Sequence, residues 1–135
     1  MELYKSDYMT ISYLQDSALL ELVWHEPTRD MSDEQFKHEI MVYSGFHSKK
    51  KPLKTLTDHL HFHFYIHQGL QDWMKDHAFP KGIPPNQVSA FVEQDDFFLQ
   101  VAVEQALEEV DEVTENLGNV KHFATREDAL NWLLK

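Results

Sequence analysis

Along the chain, apolar and polar positions switch between two periods, and the switches mark the elements. Residues 8–14 (Y-M-T-I-S-Y-L) alternate and are partly β-branched or aromatic, and the apolar run 18–24 follows after Gln15-Asp16-Ser17. That is the pattern of a β-hairpin, ended by His25-Glu26-Pro27. The next stretch, M-S-D-E-Q-F over 31–36, announces a helix. Ser32 is placed to cap the amide of Gln35, whose side chain can reach back, with Met31 and Phe36 at the two staple positions. Phe36, Ile40, Tyr43 and His47 continue one helical face, and Gly45 with the lysines after it is expected to close the helix.

The spacing then predicts a short strand over 53–58 and a second helix from about Gln68, with Leu70, Trp73, Met74 and His77 on one face. Pro80 stops it. After a turn at Pro84-Pro85-Asn86 comes a strand over 88–92. Asp95 or Asp96 caps a long third helix that turns Leu99, Val103, Ala106 and Val110 inward. Its outer face, with Glu104, Glu108, Asp111, Glu112 and Glu115, reads as solvated. Leu117-Gly118-Asn119 ends that helix, the glycine being available for a left-handed cap. A last strand over 120–124 leads to a helix capped by Thr125, which buries Ala129, Leu130 and Leu133 with Trp132 beside them.

The order is β-β-α-β-α-β-α-β-α, with no repeat or linker, so residues 1–135 read as one α/β domain. Strands separated by helices imply right-handed crossovers and a largely parallel sheet. The expected architecture is five strands, with an antiparallel hairpin at one edge, and four helices.

Composition narrows the partners more than the fold. The 135 residues are 42% apolar and 13% aromatic, which suits a globular core. No apolar run approaches the roughly 20 residues of a membrane span, and the first residues lack the apolar centre of a signal peptide, so the expected location is cytoplasmic. With no cysteine, disulfides, thiolate nucleophiles and Cys-ligated metals are excluded. The formal net charge is −11, a field that repels phosphate backbones and anionic lipid, so neither nucleic acid nor a membrane surface is an expected partner. Lys49, Lys50, Lys51 and Lys54 form one basic cluster, read as a solvated turn. Protonating the nine histidines would cancel nine of those eleven negative charges, so solubility should fall towards the pI near 5.1.

Several strings, taken in order, resemble the SpoIIAA-like branch of the STAS fold (sulfate-transporter and anti-sigma-factor-antagonist domains). They are Asp30-Met31-Ser32 with Glu34 and Phe36, Asp58 ending the central strand, residues 97–105, and a closing F-x-x-x-E-x-A-x-x-W-L pattern. The last is carried by Phe123, Glu127, Ala129, Trp132 and Leu133. The resemblance covers nearly the whole chain. It implies a non-enzymatic binding or regulatory module acting through protein contacts, with a protein partner or a homodimer. Better-known members bind a kinase and are switched by phosphorylation of a hydroxyl that follows the central aspartate. Here His59 occupies that position, so no phosphosite carries over. The short bacterial relatives of this kind supply a fold more than an assigned activity.

Candidate chemistry concentrates in D58-H-L-H-F-H-F-Y-I-H67, with four of the nine histidines in ten residues. One reading is an extended connection that lays Leu60, Phe62, Phe64 and Ile66 on the core and leaves His59, His61 and His63 in water, since period-two alternation gives this without any ligand. The other makes His59, His61 and His63 ligands of a weakly bound divalent transition metal. Alternate residues of an extended chain lie about 6.6 Å apart on one face, near enough for two imidazoles to share an ion. The segment leaves the carboxyl end of a parallel strand, where open α/β sheets bind ligands. Asp58, His59 and His67 are therefore the candidate ligand or partner edge.

Catalytic residues are not expected. No serine sits in a G-x-S-x-G context, the four glycines are isolated, and Asp58 and His59, adjacent in an extended segment, point to opposite faces. No resident cofactor is implied. The aromatics Phe62, Phe64, Tyr65, Trp73, Phe79, Phe97 and Phe98 leave a small apolar ligand as a further option, kept alive by the related CRAL-TRIO lipid-transfer architecture.

Overall fold

The computed structural model describes residues 1–77, 87–93 and 119–135. Six strands form one mixed sheet: β1 (Glu2–Lys5), β2 (Met9–Leu14), β3 (Leu19–Trp24), β4 (Lys54–Asp58), β5 (Val88–Val92) and β6 (Asn119–Phe123), in that spatial order. β1, β2 and β3 pair antiparallel, and β3 through β6 run parallel. Three described helices accompany them: α1 (Asp33–Lys50), α2 (Gln68–His77) and α3 (Arg126–Leu133).

The α/β class and the predicted hairpin hold, but the described residues form a sheet of six strands where five were expected. The strand that sequence reading missed is β1. It is four residues long, charged at both ends, and too short to display a period. It adds outside β2, with a bulge between Glu2 and Tyr4, so the predicted hairpin lies inside the rim rather than at it. The predicted third helix from Asp95 or Asp96, the prolines at 80, 84 and 85, and the aromatics Phe79, Phe97 and Phe98 lie outside the described residues.

α1 begins as its sequence dictates. Gln35 N donates to Ser32 Oγ at 3.1 Å, and Ser32 N donates to Gln35 Oε1 at 2.8 Å. Met31 and Phe36 are both buried in one cluster across that turn. The helix runs through Gly45 to Lys50, beyond the expected stop. A glycine inside a helix costs about 1 kcal/mol, which packing of Phe36, Glu39, Ser44 and His47 against the sheet outweighs. The stop comes at Lys51, held left-handed at φ 47° with its N–H on the His47 carbonyl.

The two sheet faces bury separate cores. Under α1 and α2 lie Met9, Ile11, Leu20, Leu22, Trp24, Met31, Phe36, Phe62, Ile66 and Leu70. Under α3 lie Leu19, Leu56, Ala90, Val92, Ala129 and Leu133, with Thr125 Oγ1 capping Asp128 N as its sequence predicts. Trp132 and Leu130 are partly buried beside them. His77, expected on the inner face of α2, is exposed and stacks on Trp73.

β1 is fastened to α1 as well as to β2. Glu39 is 3% exposed and accepts from Tyr4 Oη at 2.9 Å and Ser6 Oγ at 2.8 Å. Both carboxylate oxygens are thus satisfied inside the fold, as a buried charge requires.

Candidate functional site

The parallel strands end level with one another: Val23 pairs with Asp58, Asp58 with Val92, and Val92 with Phe123. One further bond continues the ladder on each side, His59 N to Val92 O at 2.6 Å and Glu93 N to Phe123 O at 3.1 Å. Asp58 ends β4 as expected. It is buried, and its Oδ1 accepts from Leu60 N at 2.9 Å, turning the chain off the sheet. Arg126 Nε donates to Glu21 Oε2 at 2.6 Å nearby. That bond holds the Arg126 guanidinium above its ordinary pKa, with the charges of Glu21 and Asp58 adding to it against an opposing effect of burial.

His59 does not join its neighbours in solvent. It is 8% exposed, edge-on to Phe62 at 5.4 Å and stacked on Phe91 at 5.9 Å. The other face of Phe91 stacks on His122 at 5.6 Å, and His122 Nδ1 pairs with Glu93 Oε1. Burial pushes the His59 imidazole down to about 4, with the nearby His122 adding to the effect. A neutral ring in an apolar stack is the consistent state. The expectation of three solvated imidazoles therefore fails at His59. Its cause is the turn: Phe62 N bonds to His59 O at 3.1 Å, which breaks the alternation where it starts.

From residue 60 onward the alternation holds well. Phe62 and Ile66 are buried, Leu60 and Phe64 partly so, while His61, His63 and Tyr65 face outward. Tyr65 is 76% exposed. One hydroxyl organises this loop. Thr28, 0% exposed, accepts from His63 N at 2.9 Å, and its single proton is shared between the carbonyls of His25 at 2.9 Å and His61 at 3.2 Å. The backbone on both sides of Phe62 is thereby clipped to one point, so Phe62 turns in against Trp24 at 4.9 Å and its two histidine neighbours turn out. The far end is held by His67, whose Nε2 lies 2.7 Å from Asp33 Oδ2 at the start of α1. Gln71 Nε2 also donates to Ile66 O at 3.0 Å.

The structure thus sets His59 apart from the other histidines of the candidate metal set. His59 sits in the aromatic stack, His61 and His63 lie on the surface, and His67 is paired with Asp33. Among the described residues no group of three or more His, Asp or Glu side chains is gathered in a way that could hold a metal ion. Sequence reading missed Thr28, for which E-P-T-R-D gives no signal, and the Phe91–His122–Glu93 stack. Only the register of β5 and β6 brings the latter beside His59. Among the described residues, no helix is long and apolar enough to cross a membrane. No family model, curated protein or solved structure matches this chain.

Proposed function

We propose that the protein is a non-enzymatic binding or regulatory module of SpoIIAA-like architecture, acting through protein contacts made by the loop 59–67. The observation that carries this reading is the clip at Thr28. A buried hydroxyl and two buried apolar side chains fix a surface loop, so that His61, His63 and Tyr65 project from it without needing to be ordered on binding. Preorganised loops on a rigid sheet are common recognition elements, and an exposed tyrosine adds contact area at low entropic cost. The loop leaves the carboxyl edge of the parallel strands, where α/β sheets place their sites.

The test is a photo-crosslinking amino acid at position 65, with the same group at exposed Asp16 on the other edge as control. One stoichiometric protein partner captured from position 65 and not from position 16 supports the reading. Identical capture from both positions, or none from 65, rejects it. A second reading, a metal held at residues 58–67, draws its support from the two outward histidines, His61 and His63.

A further inference from the structure

Resting on the reading of the 59–67 loop as the contact surface, we infer that His61 and His63 form half of a transition-metal site, which a second copy of this chain completes with the same two residues. The clip at Thr28 fixes both backbones, since the His61 carbonyl and the His63 amide meet one oxygen. Phe62 is buried between them, and both histidines are exposed to solvent. Alternate residues of extended backbone are about 6.6 Å apart, and metal–imidazole bonds run about 2.0–2.1 Å, so both rings can reach one ion. Two nitrogens leave a tetrahedral ion two ligands short. Among the described residues of one chain, no group of three candidate ligands completes the set.

A two-fold axis through the metal supplies the missing pair. The same patch meets itself, as in most homodimers. The His59 ring is excluded by its burial between Phe62 and Phe91, and His67 by its contact with Asp33. Glu26 Oε1 stands 3.9 Å from His63 Nε2, placed to take the N–H of a metal-bound ring after a small side-chain movement. Charge sets the logic of assembly. Two copies at −11 each repel, while the same field concentrates divalent cations at the surface. The association is therefore metal-dependent rather than constitutive. Four neutral imidazoles suit zinc and, with higher affinity, copper.

Zinc chloride added to untagged, chelator-stripped protein is the probe, read by native mass spectrometry and by light scattering after size exclusion. The expected result is a dimer carrying one zinc per two chains, reversed by chelator. The double variant His61→Ala/His63→Ala should keep the parent's melting temperature, stay monomeric with zinc, and bind the ion at least about tenfold more weakly, a loss of some 1.4 kcal/mol. A monomer carrying zinc one to one, a dimer that forms equally well in chelator, zinc affinity unchanged in the double variant, or no zinc bound overturns the inference. Repeating the position-65 crosslink in chelator separates the two readings. A partner captured there without metal leaves the contact surface standing even where the zinc site fails.

Discussion

Thr28 holds more of the site than any histidine does, and its replacement should show it. Thr28→Val keeps the shape but removes the acceptor of His63 N and the donor to His25 and His61. Stranding buried backbone groups costs about 1–3 kcal/mol, so urea denaturation should register a loss in that range, with faster amide exchange at 61–63. Thr28→Ser should recover most of it. Equal exchange in the valine variant would show that the loop is held by Phe62 and Ile66 alone. Phe62→Ala should cost about 3–5 kcal/mol, because its ring meets Trp24, Phe36, Phe64 and His59 at once. The pair His61→Asn/His63→Asn should cost far less.

At the scale of elements, the helix starts were the most legible features. Ser32→Ala should lower stability by about 1 kcal/mol, and an unchanged denaturation midpoint would mean that α1 does not depend on its cap. Ser32 and Thr125 announced their helices because a cap is local chemistry, decided within four residues. β5 was bounded correctly because its short apolar run sits between the polar residues Gln87 and Glu93. What escaped was decided by distant neighbours. Gly45 looked like a stop, and continues a helix because Ser44 before it and His47 after it are buried. Glu2–Lys5 has no period of its own and becomes a strand because β2 offers an edge and Glu39 receives Tyr4 and Ser6. His59 fitted the alternation yet is buried, since Phe91 and His122, more than thirty residues away, stack where it lands.

For the molecule as a whole, acid is the sensitive variable. His59 is held down to about 4 by burial and by His122. His47, on the buried face of α1, is also lowered by burial, against a smaller opposite pull from its hydrogen bond with Gln87. Both rings take up protons more readily in the unfolded chain, so their contribution is full above about pH 6.5 and is lost as pH falls. For His59 the window runs from 6.5 to about 4, and the loss is about 3 kcal/mol at roughly 1.36 kcal/mol per pH unit. Urea titrations of dilute protein in chelator should show stability declining across that window. His59→Phe should flatten the decline. Parallel profiles for parent and variant would show that His59 is solvated and free to charge.

The fastening of β1 by Glu39 has a consequence for how the protein behaves in storage and on heating. β2 is six residues long and carries Ile11 and Tyr13, and β1 is the cover that keeps its outer backbone edge from serving as a template for other chains. At neutral pH, mutual repulsion gives a second safeguard. Near the pI of about 5.1 that safeguard is gone, and the cover stands alone. Tyr4→Phe with Ser6→Ala takes two hydrogen bonds from Glu39 and should leave the variant soluble at neutral pH yet prone to thioflavin-positive fibrils near pH 5, where the parent forms at most amorphous precipitate. Fibril formation at the same rate in both would place the growing edge elsewhere in the sheet.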